Sequence, residues 1–247
     1  MRLFHKIKRN SLNLGKIKSY LVYAFGEVIL ISIGVLIAWK INNINEIYKS
    51  KAVELKIYTT LNEELDTNLK VIDTAIAKYT EDIEKMQRTL NYISISSNKL
   101  SQGAKDTIIN THFRTTNFLD GAISSVVNTK FDLLESDLLK NLLIAYPNDI
   151  ESFKIQESII KNIVTNRIQP VLEKHLSLTD ILVMQNTKYN KIKTVGEKSN
   201  YQKLLKSREY QNSIIDRLVQ SEKLLDIANN LRKKTLVISI NLNQELS

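Results

Sequence analysis

The sequence predicts an all-α protein in which one N-terminal transmembrane helix continues into the long helix of an antiparallel extracytoplasmic helical bundle. Three observations predict it. Residues Tyr20 to Trp39 form an apolar run with a single charge, Glu27. Beyond it, residues at alternating steps of three and four from Ile41 to Ile93 are apolar or aromatic except Lys51 and Asn62, which is the seam of a helix with a 3.5-residue period. The 247 residues include only 6 Gly and 2 Pro, too few turn formers for a sandwich or barrel.

The N-terminal 19 residues read as a cytoplasmic basic tail. Arg2, Lys6, Lys8, Arg9, Lys16 and Lys18 stand there with no acid. Taking these six from the 35 basic residues leaves 29 against 26 acidic ones. The net charge of +9 therefore sits mostly before the apolar run, where it sets membrane orientation and favours anionic lipid, and no basic, aromatic-interleaved face suggests nucleic acid. Leu3, Phe4 and Ile7 interleave with these cations, as in a segment lying on an anionic leaflet.

The transmembrane helix is placed at residues 20–40. A run of this length spans about 30 Å, the thickness of a bilayer core. Tyr20 and Tyr23 stand at one end and Trp39 at the other, where aromatic rings favour the interface. A cleaved signal peptide would have a shorter apolar region and small residues at its end, whereas this run ends in Ala38, Trp39 and Lys40. By the positive-inside rule the N-terminus is cytoplasmic and the C-terminal domain is periplasmic, with the anchor in the inner membrane.

A carboxylate in a bilayer is costly, so Glu27 is expected to face a partner, a proton path or a lipid head group, or else to be tolerated near the interface. Run backwards from Ile41, the heptad passes through Ile37, Gly34, Leu30, Glu27 and Tyr23. Gly34 and Ala38 have the small-xxx-small spacing that permits close helix approach. Tyr23, Glu27, Leu30, Gly34, Ile37 and Ala38 are thus the candidate partner face within the membrane. Ile41, Ile44, Tyr48 and Asn62 continue it as a candidate seam beyond.

These residues also carry a resemblance. Tyr20 to Leu30 with Gly26-Glu27, then Gly34 to Ala38, then Ile41-Asn42-Asn43-Ile44-Asn45-Glu46, resemble the signature of an uncharacterised Bacteroidota single-pass membrane family, domain of unknown function 6090. Its members typically read GE, an apolar stretch, GILIA and then INNWNE. Here Ile44 replaces the usual Trp and Lys40 stands where Gln is common. A looser likeness extends around Phe118 to Tyr146. The resemblance implies a single-pass helical membrane protein and no activity.

Residues 41–247 are read as the extracytoplasmic helical domain. Its long helix is expected over about 41–97, either as one member of a bundle or as a self-associating coiled coil with Asn62 fixing register. Shorter helices are expected within 104–146, near 104–113 and 117–128 and from an N-cap at Ser136 to a stop at Pro147. Asn148 with Glu151 suggests a capping box opening a helix over about 148–190, interrupted at Pro170. Gly196 lies in a lysine-rich connector, and Ser199 with Gln202 suggests a capping box for a last helix over 199–246.

Catalytic chemistry finds little footing. There is no cysteine, so thiolate metal sites, disulfides and cysteine nucleophiles are excluded. His5, His112 and His175 are scattered, and no HExxH, GxSxG or P-loop occurs. Glu63-Glu64 and Asp82 with Glu84 are expected on solvated helix faces, Asp120-Gly121 in a turn, and Ser124-Ser125 without a base nearby in sequence. No enzyme activity, cofactor or metal is expected. The expected function is a membrane-anchored helical interaction or scaffold protein of the cell envelope. Its partners would be the bilayer and another envelope protein or a second copy, not nucleic acid. Two alternatives stay open: a periplasmic ligand-sensing helical module, and an accessory subunit of an ion-motive complex using Glu27.

Overall fold

The computed structural model describes residues 14–96, 99–185, 187–189, 191, 192 and 196–246. The basic residues Arg2, Lys6, Lys8 and Arg9, with His5, lie outside the described residues. Every regular element among the described residues is helical. The helices are α1 (Leu14–Asn91), α2 (Gln102–Ile108), α3 (Gly121–Ser125), α4 (Asp137–Ile163), α5 (Gln169–His175), α6 (Leu178–Gln185), α7 (Tyr201–Lys206) and α8 (Arg208–Leu246). The chain divides between Glu54 and Leu55 into two units, each described by itself.

In the first unit, α1 begins at Leu14, earlier than the expected start at residue 20, and takes in the end of the basic tail. It is long and apolar enough to cross a membrane: an 18-residue window has a mean hydropathy of 2.3, and none of it is buried. Ser32 Oγ donates back to the Val28 carbonyl at 2.8 Å, which hides a hydroxyl within the apolar run.

In the second unit, α1 supplies one wall of a core shared with α4 and α8. Tyr58, Leu61, Leu65 and Ile72 join Leu139, Leu143, Tyr146 and Phe153 from α4 and Leu224, Leu231 and Leu242 from α8 in one apolar cluster. A second cluster gathers Ile83, Met86, Ile108, Val164, Ile168, Leu204 and Tyr210. Each such side chain contributes about 1.5–3 kcal/mol on leaving water. Partners across the core run in opposite order. Asn62 meets Ser239 and Asn243 while Asp73 meets Arg232. Tyr146 meets Thr235 while Gln156 meets Gln220.

Several expected boundaries are corrected. α1 ends at Asn91 in a short 3-10 turn, Tyr92–Ser94, and Ile95 is extended, so the helix stops short of residue 97. The helix expected at 104–113 is α2, capped by Ser101, whose side chain accepts from the Ala104 N–H at 3.2 Å. The helix expected at 117–128 starts only at Gly121, and a π turn at Val126–Lys130 follows it.

Ser136 does cap α4, but Pro147 lies inside that helix. A proline there costs about 3 kcal/mol. Leu143, Tyr146 and Ile150 around it are buried, and their burial outweighs that cost. Asn148 and Glu151 are consequently mid-helix and form no capping box.

The helix expected over 148–190 is instead the latter part of α4, a π turn at Val164–Ile168, then α5 and α6; residue 190 lies outside the described residues. The π turn delivers Pro170 to the first turn of α5, where its missing N–H costs nothing. Gly196 has φ +110, a left-handed conformation suited to glycine, within the lysine-rich connector. The last expected helix is two, α7 and α8, parted at Ser207. Asn200, not Ser199, caps α7 by accepting from the Lys203 N–H at 2.9 Å. Ser199 Oγ instead donates to Asp180 at 2.7 Å.

Candidate functional site

Residues 109–120 join α2 to α3 without helix. Over residues 113–118 exposure alternates: Phe113, Thr115 and Asn117 are exposed, while Arg114 and Thr116 are half-buried and Phe118 is buried. That period of two is the pattern of an extended strand. Phe118 packs edge to face on Phe153 of α4, with ring centroids 5.2 Å apart.

Polar side chains from the helices strap this segment down. Glu157 of α4 is 4% exposed, and its carboxylate accepts three hydrogen bonds. They come from the Tyr79 hydroxyl at 2.6 Å, the Thr116 hydroxyl at 2.6 Å and the Thr116 N–H at 2.8 Å. Burial and the adjoining Glu157 carboxylate push the Tyr79 phenol well above its ordinary range, so it stays a donor. Arg114 meets Asp82 of α1 through Nε at 3.0 Å and Nη2 at 3.3 Å. Arg217 of α8, 3% exposed, donates to the Asn110 carbonyl at 2.8 Å and to the His112 carbonyl. Burial pulls its guanidinium pKa below the ordinary value, with Asp82 opposing that shift. Asn68 of α1 grips both backbone groups of Leu119, donating to its carbonyl at 2.7 Å and accepting from its N–H at 2.8 Å. Glu64 accepts from the N–H groups of Ala122 and Ile123 at 2.7 and 3.1 Å, capping α3 where Asp120 does not.

Two of these findings correct the sequence reading. Glu64 and Asp82 do not lie on solvated faces. Glu64 is half-buried at the start of α3, and Asp82 is 4% exposed beside Arg114. Glu157, Arg217, Asn68, Arg114 and Thr116 were not singled out at all. For Asn68, Glu157 and Arg217 the legible signal was a polar residue at a core-facing helical position, whereas Arg114 and Thr116 lie in the non-helical segment.

Grooves flank the strapped segment on both sides. The one towards α1 encloses about 580 Å³ and is lined by Lys70, Val71, Ala75, Lys78, Phe113 and Arg114 among others. The one towards α4 encloses about 270 Å³ and takes in Lys154, Glu157 and Lys161. Lys161 stands 5.3 Å from the centroid of the Phe113 ring. A separate cavity of about 410 Å³ is lined by Lys85, Asp106, His112, Glu173, Leu172 and Ile181 and neighbouring residues.

The residues expected to form the membrane face are exposed: Tyr23, Glu27, Leu30, Gly34, Ile37 and Ala38, then Ile41, Ile44 and Tyr48. A Cβ built on Gly34 meets nothing within 4 Å, so nothing described approaches that face. Asn62 is used within the chain, donating to Asn243 at 3.1 Å and accepting from Ser239 at 2.9 Å. Lys18 is exposed, and Lys16 lies within α1. His112 is exposed; its carbonyl accepts from Arg217 and its N–H donates to Asn110 Oδ1 at 3.1 Å. His175 Nδ1 is buried without a hydrogen-bond partner among the described residues, and burial lowers its pKa. No cluster of three His, Asp or Glu able to hold a metal occurs among the described residues. Compared with protein-family models, curated proteins and solved structures, the chain matches none.

Proposed function

We propose that the chain is a membrane-anchored, non-catalytic interaction or scaffold protein of the cell envelope, related to the family it resembles at residues 20–46. The observation that carries this reading is the contrast between its two units. From Tyr20 to Ser50 every side chain except half-buried Ala24 is exposed, and an 18-residue window of this helix has a mean hydropathy of 2.3. Exposed apolar surface on this scale is stable only in lipid or against a partner. In the second unit the buried ionisable groups are occupied by the chain itself, Glu157 by Tyr79 and Thr116, Asp82 by Arg114 and Arg217 by the Asn110 and His112 carbonyls, so they hold shape rather than face a substrate.

In this reading α1 crosses the inner membrane with its N-terminus in the cytoplasm, and residues 41–247 form the periplasmic domain, an antiparallel helical bundle. Tyr23, Glu27, Leu30, Gly34 and Ile37 carry the contact within the membrane. The chain has no native cysteine, which makes the test direct. Single cysteines at Leu30, Gly34, Ile37, Ile41 and Ile44 are crosslinked in intact membranes, and the adducts are identified by mass spectrometry. Crosslinks on this stripe, to a second copy or another envelope protein, are expected; none on or off the stripe rejects the reading.

A second reading rests on the cavity of about 410 Å³, whose mixed polar and apolar lining suits a small ligand between helices. It makes the domain a ligand-sensing module. A small molecule that raises the melting temperature of the full chain, with the effect lost in Leu172→Trp, supports it.

A further inference from the structure

The strapped segment spends its backbone unevenly. Asn110 O and His112 O go to Arg217, and Thr116 N goes to Glu157. Leu119 N and O go to Asn68 of α1. In an extended chain the N–H and C=O of one residue point to the same side, and neighbouring residues alternate. Even-numbered residues therefore face Glu157, and odd-numbered residues face α1. Among the described residues, the backbone groups of Phe113, Arg114, Thr115, Asn117 and Phe118 make no hydrogen bond, and of these Phe113, Thr115 and Asn117 are on the α1 side. These three odd-numbered residues border the groove of about 580 Å³ beside α1.

That groove is cationic. Lys70 and Lys78 of α1 line it and no acid does, while Arg114, also in its lining, is paired with Asp82. Lys70 and Lys78 are exposed and have no ion-pair partner among the described residues. Val71, Ala75 and Phe113 give it an apolar floor. The dimensions agree as well. Lys70 and Lys78 are eight helical residues apart, about 12 Å. Phe113 to Asn117 is four extended residues, about 13 Å.

We propose that this groove docks an extended acidic peptide segment of a partner protein, which adds as a strand to the backbone of Phe113, Thr115 and Asn117 and sets carboxylates against Lys70 and Lys78. Unpaired main-chain groups provide affinity for any extended chain, and the two lysines select for acid spaced along one face of it. The proposal rests on the interaction reading above and names its partner's chemistry.

The test uses the full chain in phosphatidylcholine nanodiscs, whose neutral lipid adds no competing net charge. The probe is a fluorescein-labelled decapeptide alternating glutamate and threonine, followed by anisotropy. Binding is expected, weakened about tenfold or more by Lys70→Glu with Lys78→Glu and unchanged by Lys233→Glu. N-methylation of alternate peptide nitrogens should abolish it, because it removes the donors that a strand needs. Should the double Glu variant fail to give a native thermal melt, Lys70→Gln with Lys78→Gln replaces it. No binding, or equal binding of the N-methylated peptide, overturns the proposal. So does capture of inorganic polyphosphate without capture of the peptide, which would mark a phosphate site. If the peptide fails while the cysteine crosslinks in α1 succeed, the docking site falls and the interaction reading stands; peptide binding without crosslinks keeps the docking site and removes the contact within the membrane.

Discussion

Tyr79 donates its phenolic hydrogen to Glu157 across 2.6 Å, although 78 positions separate them in the chain. The same carboxylate holds Thr116 by both its hydroxyl and its N–H. One acid thus ties α1, α4 and the segment at 109–120 together. Removing such an acid from a core is more costly than never having had it, because its donors stay behind without water.

Glu157→Gln is expected to destabilise the fold by about 2–3 kcal/mol. Its amide keeps an acceptor for the two hydroxyls but sets an NH2 against the Thr116 N–H. Glu157→Ala orphans all three donors and should cost about 3–5 kcal/mol. Thr116→Val, which removes one hydroxyl and keeps the N–H bond, should cost about 1 kcal/mol. Urea unfolding followed by circular dichroism ranks the three, and an equal cost for all would mean that Glu157 is not the node.

Arg217 makes a different kind of tie, from a buried guanidinium to two carbonyls, at Asn110 and His112. Arg217→Met leaves both acceptors unpaired, with an expected loss of about 2–4 kcal/mol. Arg217→Lys can reach one of them and should lose about half as much. Hydrogen exchange should quicken at residues 109–120 before it does in α4. Uniform quickening would instead show that Arg217 supports the core at large.

Much of this fold was legible in the apolar pattern, and the part that was not lies one residue to the side. The expected seam runs through Tyr58, Asn62, Leu65, Leu69, Ile72, Ile76, Tyr79, Ile83 and Met86, and all of these positions are buried or half-buried. The deepest stripe, however, is Tyr58, Leu61, Leu65, Asn68, Ile72, Ala75, Tyr79, Asp82, Met86 and Thr89. A search for apolar residues steps over Asn68 and Asp82 to reach Leu69 and Ile83. Those polar residues grip the strapped segment, and their partners Leu119 and Arg114 come from the chain after α2. No local pattern announces a segment held mainly by distant side chains. Pro147 misled for a related reason: its local cost is plain in the sequence, and the burial that outweighs it is tertiary.

Burial holds the phenols of Tyr79, Tyr146 and Tyr210 above their ordinary value of about 10. Below about pH 10 these phenols are protonated both folded and unfolded, so their contribution is complete. Above it the unfolded chain releases protons that the folded chain retains, and stability falls as pH rises. Each group contributes a slope of up to about 1.4 kcal/mol per pH unit. Melting temperatures measured from about pH 9 to about pH 11 should therefore drop, and less steeply in Tyr210→Phe. An unchanged slope in that variant would place the alkaline loss elsewhere.

Pro147 offers a gain. The helix carries it without the N–H that would bond the Leu143 carbonyl. Pro147→Ala restores that bond and relieves the ring clash, against a loss of about 0.4–1 kcal/mol from a freer unfolded chain. A net stabilisation of about 1–2 kcal/mol is expected in urea unfolding. A destabilised Pro147→Ala would mean that α4 uses its proline to set a bend on which the core depends.

Glu27 has no hydrogen-bond or ion-pair partner among the described residues, and its side chain is exposed. It therefore does nothing for the second unit, and Glu27→Leu should leave the melting of that unit unchanged. A bare carboxylate in the apolar run is nevertheless expensive by roughly 2.5–3.5 kcal/mol if it reaches the bilayer centre. The proposed partner face lowers that cost, so the same substitution should reduce crosslinking through cysteines at Leu30 and Ile37. Gly34→Leu should do so too, by filling the space into which a second helix would pack. Full crosslinking in both variants would leave the apolar run as an anchor alone and remove the stripe from the account of what this protein binds.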